Sequence, residues 1–201
     1  MFLPEFRSRR KTPVFFPEKP GLGAERKPVA DCPNYIYTSV MEKNKKILVL
    51  ALGNDILGDD GIGFHAARLL RLEFSDDVAV VETSEAGLAL LDHLEYCERA
   101  LILDAVATGK CAPGTVLCWD REDFRRCVSP SQHAAGLPHI LELAERLGLN
   151  FPRELRVVCV EVGDPTVFRE TLTPEAREAL PAFVAEAGRI LAEWGCRRKK
   201  K

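Results

Sequence analysis

Short, wholly apolar runs alternate with amphipathic stretches along residues 46–194, and this alternation most restricts what the chain can become. The runs are "ILVLAL" at 47–52, "VAVVE" at 78–82, "ALILDA" at 100–105, "TVLCW" at 115–119 and "LRVVCVEV" at 155–162. A strand with one face in water alternates apolar and polar residues. Runs of Val, Ile and Leu that lack this alternation suit strands covered on both faces, as in a parallel sheet. Between them, "GFHAARLLRLEF" spaces Phe64, Ala67, Leu70 and Phe74 at three and four, and "LPHILELAERLGL" does the same with Leu137, Ile140, Leu141, Ala144 and Leu147 before Gly148. The last helix has Thr173 to cap it, Pro174 in its first position and a stripe of Leu180, Phe183, Val184, Ala187, Leu191 and Trp194. Strand and helix in alternation predict an α/β fold: a three-layer α/β/α sandwich around a mostly parallel twisted sheet of about five strands.

The first 40 residues hold six of the 13 prolines and show neither periodicity. Residues 1–45 are therefore expected to be a disordered extension, or to follow from a start site placed ahead of Met41. Residues 46–195 are expected as a single α/β domain, and 196–201 as a basic disordered tail. The net charge of −2 conceals an asymmetry: residues 1–40 carry +3, the closing "RRKKK" carries +5, and residues 41–196 carry −10. So acidic a body argues against nucleic-acid binding. No apolar stretch approaches the roughly 20 residues of a membrane span, and no apolar segment follows the N-terminal positive charges, so neither insertion nor secretion is expected. The seven cysteines form no CxxC pair, which is read as reduced thiols in a cytoplasmic protein.

The chemistry is concentrated in "GNDILGDDGIG", residues 53–63, where the first apolar run ends. Capping of the next helix accounts for one aspartate there, not for Asp55, Asp59 and Asp60 together. A phosphate cradle fails, because GxGxxG is absent and the carboxylates would repel the anion. A nucleotide-binding α/β domain is thereby disfavoured, and a cation suits the turn better. Two further groups stand at corresponding strand ends. Asp104 closes the apolar run "ALILDA", where a carboxylate must be paired, hydrogen-bonded or metal-bound. His133 lies in the polar loop "SPSQH" just before a helix.

In order, "ILVLALGNDILGDDGIG", "SEAGLALLDHLEYCERALILDA", "APGTV", "SPSQHAAGLPHILELAERLGL" and "LTPEAREAL" resemble the nickel–iron hydrogenase maturation proteases, over about residues 46–194. These are endopeptidases that trim the C-terminal extension of a hydrogenase large subunit. The resemblance implies a metal-contacting site of two acidic residues and a histidine. By motif these fall on Asp60, Asp104 and His133, with Asp60 and Asp104 as the catalytic carboxylates. It also implies nickel supplied by the substrate protein, the precursor of the large subunit, rather than held by this chain. The chain departs from the family's Gly/Thr-rich turn at "ETSEAG", which brings Ser84 and Glu85, and the "SPSQH" spacing is longer than usual.

No serine or cysteine nucleophile stands beside a base and an orienting group, and GxSxG and HExxH are absent, so hydrolysis here implies an activated water. Asp60 and Asp104 then serve as general base and acid, or hold a metal that lowers the pKa of bound water from about 15.7 toward about 7; the sequence leaves both open. Asp55 and Asp59 are expected as turn or helix-cap residues, and His93 and Cys97 to lie one turn apart on a helix without binding metal. Glu161, ending its strand, is expected to face a partner or a pairing group. The rival reading is a non-catalytic nickel-sensing or docking module built on the same three residues.

Overall fold

Strand β1 (Ile47–Leu52) is an interior strand of the sheet, and both of its faces are apolar. Leu48, Leu50 and Leu52 enter one core, Val49 and Ala51 another, and all five are fully buried. Each leucine so placed is worth about 1.5–3 kcal/mol. In this computed structural model, which describes residues 46–95, 97–126, 133 and 137–199, β1 leads through a 3-10 turn (Gly58–Gly61) into α1 (Ile62–Glu73). There follow β2 (Val78–Thr83), a second 3-10 turn (Gly87–Ala89), α2 (Leu90–Leu94), β3 (Arg99–Val106), β4 (Val116–Asp120), α3 (Arg121–Arg126), α4 (Leu137–Leu147), β5 (Glu154–Glu161) and α5 (Pro174–Glu193).

The five strands form one sheet in the order β2-β1-β3-β5-β4, parallel except for the β4–β5 pair. Helices α1 and α5 cover one face, packing Phe64, Leu70, Phe183, Ala187 and Leu191 on Val49, Leu101 and Val160. Helices α2 and α4 cover the other, packing Leu90, Leu94, Leu137 and Leu141 on Leu48, Leu50, Ile102 and Val157. This is the predicted three-layer sandwich. From β1 the chain moves outward to β2, then returns to β1's other side as β3. The crevice between the carboxyl ends of β1 and β3 is therefore the point where the strand order reverses, the place where open α/β sheets bind ligands.

Three expectations need correction. The run at 115–119 is not a strand buried in a parallel sheet: β4 is antiparallel, lies at an edge, and leaves Cys118 and Asp120 exposed, because only β5 pairs with it. Helix α2 ends at Leu94, so Cys97 lies beyond it and does not share a helix with His93. The tail is ordered through Lys199. Ser75 N–H donates to Arg197 O at 2.9 Å, Lys199 N–H donates to Glu73 O at 2.7 Å, and the Arg198 guanidinium lies 5.6 Å from the Phe74 ring centroid. Arg197 and Lys199 meet Asp77 and Asp76 at 3.5 and 3.7 Å, so the tail's cations lie along the acidic connection after α1. The proline-rich expectation for residues 1–45, and Cys32 and Cys127, lie outside the described residues. The five described cysteines are free thiols.

Candidate active site

The turn after β1 is fixed by close approach. Gly53 has φ +143°, and a Cβ there would fall 2.1 Å from the Asp60 carbonyl oxygen. A Cβ at Gly63 would fall 2.8 Å from Leu52 O and 2.9 Å from Leu103 O, so only glycine lets the start of α1 settle onto the ends of β1 and β3. Within the turn, Leu57 N–H donates to Asn54 O at 3.1 Å and Ile56 N–H to Asn54 Oδ1 at 3.2 Å.

The three aspartates then part company. Asp55 is exposed and faces Arg68 at 3.6 Å. Neither the 3-10 turn nor α1 receives a side-chain cap, so of the two roles expected of Asp55 and Asp59, turn or helix cap, it is the turn that they fill here. Asp59 is buried and serves a different helix: Thr173 donates to it from its backbone N–H at 2.7 Å and from its hydroxyl at 2.8 Å. Thr173 Oγ1 in turn accepts from Ala176 N–H at 3.3 Å and caps α5. Asp59 thus ties the turn to the last helix.

Asp60 points to the other side of the sheet. Its Oδ2 accepts from His133 Nε2 at 3.0 Å, just before α4, and both side chains are largely buried. Asp104 is fully buried two residues before the end of β3, and its Oδ1 accepts from Ala105 N–H at 2.8 Å. Side chains alternate along a strand, and Ala100 and Ile102 face the α2/α4 layer, so Asp104 faces it too, on the side His133 approaches. The structure therefore brings Asp60 and His133 into direct contact, and the negative charge of Asp104 is felt by the same imidazole.

The hydrogen bond to Asp60 raises the His133 pKa above its ordinary value of 6.5. Burial opposes this, while the charges of Asp60 and Asp104 and the Glu85 backbone reinforce it. Nδ1 makes no hydrogen bond of ordinary geometry among the described residues, so the Glu85 contribution is a weak one. A folded-state pKa above the unfolded value means that the pair's contribution to stability is complete below about pH 6.5 and is lost as pH rises through the folded-state pKa. The melting temperature of the parent protein is expected to exceed that of a His133→Gln variant at pH 5.5, with the gap narrowing in alkaline buffer. A gap that widened would contradict the pairing.

Other polar groups have structural partners. Glu161, buried at the end of β5, accepts from Thr108 Oγ1 and from Gly109 N–H, both at 2.7 Å, and so holds the loop between β3 and β4. Glu85 Oε2 lies 2.7 Å from His93 Nε2. His139 is exposed on α4, and burial lowers the pKa of His65. Sequence reasoning missed the Asp59–Thr173, Glu161–Thr108 and Glu85–His93 pairs. The first joins residues 114 apart, a separation at which spacing carries no signal. Among the described residues no group of three or more His, Cys, Asp and Glu is arranged to hold a metal ion, and Asp60 and His133 engage each other. The donor types, two carboxylates and an imidazole, do suit nickel, zinc or cobalt.

Comparison with known proteins supplies the context. Residues 65–190 match the family model for hydrogenase maturation proteases. The hydrogenase 2 maturation protease of Escherichia coli K12 is 31% identical over 157 residues, covering 71% of this chain and 93% of that protein. Among solved structures, the hydrogenase maturating endopeptidase HybD from E. coli superposes with a TM-score of 0.66 at 27% identity, over 76% of this chain and 96% of that one. The [NiFe] hydrogenase maturation protease HybD from Thermococcus kodakarensis gives 0.57 at 28% identity, over 72% and 98%.

Proposed function

The chain belongs to the hydrogenase maturation protease family, and from that premise we propose that it removes the C-terminal extension of a nickel–iron hydrogenase large subunit after nickel insertion. In this reading the enzyme is an aspartic-type endopeptidase, and the metal is part of what it recognises in the substrate. The observation that carries the proposal is the Asp60–His133 contact beside the buried Asp104, in the crevice between β1 and β3.

Peptide hydrolysis requires that a water lose a proton and that the departing amine gain one. In this reading Asp60 and Asp104 take and return that proton. His133 orients Asp60 through Nε2 and adds positive charge where an oxyanion develops. Nickel, carried in by the precursor, would meet oxygen and nitrogen donors from Asp60, Asp104 and His133 and would polarise the bond or the water when present. Since no three such groups are arranged around a metal among the described residues, the ion would depend on the ligands the precursor already supplies. Among the described residues no helix is long and apolar enough to cross a membrane. The free thiols accord with work in the cytoplasm.

The test incubates the purified chain with nickel-loaded and nickel-free precursor and follows intact mass. The expected outcome is loss of a C-terminal fragment from the nickel-loaded form alone. Equal cleavage of both forms would remove the metal from recognition, and binding without cleavage would favour the docking module.

A further inference from the structure

Beside the catalytic turn, two segments distant in sequence form a short ribbon. Gly58 N–H donates to Arg169 O at 2.7 Å, Arg169 N–H donates to Ile56 O at 3.1 Å, and Leu57 and Arg169 pair as a parallel bridge. That register sets Ile56 opposite Phe168. Both are exposed, at 53% and 80%, and neighbouring Val167 at 40%. Large apolar side chains held out together by a backbone-bonded ribbon mark an interaction surface. On the ribbon's other side, Leu57, Val167 and Arg169 line an open cleft of about 270 Å³ whose floor includes Asp59 and whose rim carries Asp164 and Glu175.

We propose that this ribbon and its cleft are the docking surface for the precursor polypeptide next to the bond being cut, taking an extended segment that carries an apolar side chain and a neutral or basic neighbour. The proposal rests on the proteolytic reading above, and three observations narrow the occupant to a peptide. The first is nearness: Asp60 N–H donates to Leu57 O at 3.3 Å, so the ribbon and Asp60 share one turn at the sheet's edge, and the neighbours of a residue reacting at Asp60, each about 3.3–3.6 Å further along an extended peptide, come within reach of the ribbon. The second is size: the cleft falls just below the roughly 300–1,000 Å³ of sites for small organic ligands, so it suits a side chain rather than a cofactor. The third is charge. Asp164 and Glu175 outnumber Arg169, hydrogen bonds from Thr166 hold the Asp164 pKa below its ordinary value, and Asp59 already occupies the N-terminus of α5. A phosphate or an acidic segment would be repelled.

The test uses the full-length enzyme, nickel-loaded precursor and the variants Phe168→Asp and Ile56→Ser. Neither residue touches the catalytic groups, and both are exposed, so the melting temperature should move by less than about 2 °C. KM for the precursor is expected to rise at least tenfold in Phe168→Asp while kcat stays within twofold. On an Asp60→Asn background, precursor binding measured by calorimetry should weaken by the same factor. An unchanged KM and affinity in Phe168→Asp, with Asp60→Asn inactive, would overturn the docking surface and leave the protease reading standing. Full activity in Asp60→Asn would instead overturn the protease reading beneath it.

Discussion

Replacing Asp60 with Asn is expected to abolish processing while leaving the protein folded, and His133→Ala to do the same. The amide keeps the shape of the carboxylate, and its oxygen still accepts from His133 Nε2, so the local hydrogen bond and the turn survive. What is lost is the negative charge and the capacity to carry a proton. Removing a positioned acid–base group lowers turnover by about 10²–10⁴-fold, which in a gel or mass assay of precursor cleavage appears as no product. In His133→Ala the Asp60 carboxylate loses its partner and the crevice loses its cation. The melting temperature is expected to fall by only a few degrees in either variant, because the hydrophobic cores on both faces of the sheet are untouched. Processing at the parental rate by both proteins would dismiss this crevice as the site of chemistry.

Gly53→Ala is expected to damage the enzyme from a residue that takes no part in the reaction. Its backbone sits at φ +143°, where an L side chain is strained by about 1–3 kcal/mol, and the added methyl would stand 2.1 Å from the carbonyl oxygen of Asp60. Backbone cannot swing aside as a side-chain tip can, so the turn must shift by the order of an ångström. A displacement of that size at a reacting group costs about 10²-fold in rate. Stability and turnover should therefore fall together. Gly148→Ala provides the control: its φ is +65°, but nothing lies within 4 Å of the added methyl. That variant should lose a little stability and no turnover. If the two variants lost turnover equally, the close approach to Asp60 would not be the cause.

The elements read correctly from sequence are those whose local chemistry agrees with their tertiary surroundings. Strand β1 is apolar on both sides and is buried on both sides. Helix α5 has its cap, its first-turn proline and its stripe, and it forms where these place it. Of the short helices, α2 was expected around His93 but carried too far, since it ends at Leu94, and α3, six residues long, is too short for a periodic signal. Strand β4 misled because an edge strand can be as apolar as a central one, and its antiparallel direction comes from its partner. The charged tail misled because "RRKK" has no local reason to be ordered. The acidic connection that receives it lies more than a hundred residues earlier.

The crevice shows the same division. The sequence by itself determined that carboxylates would crowd the end of a buried strand, that the turn there lacks the glycine spacing of a phosphate fingerprint, and that the chain would build a sheet covered on both sides. These follow from residue type, spacing and the cost of burying charge, all of which act locally. The family motif already pointed to Asp60 rather than Asp59 as the partner of His133; only the tertiary structure showed that Asp59 anchors the last helix through Thr173. Asp59 and Asp60 meet different partners, and each partner, Thr173 or His133, is brought there by packing of the whole fold.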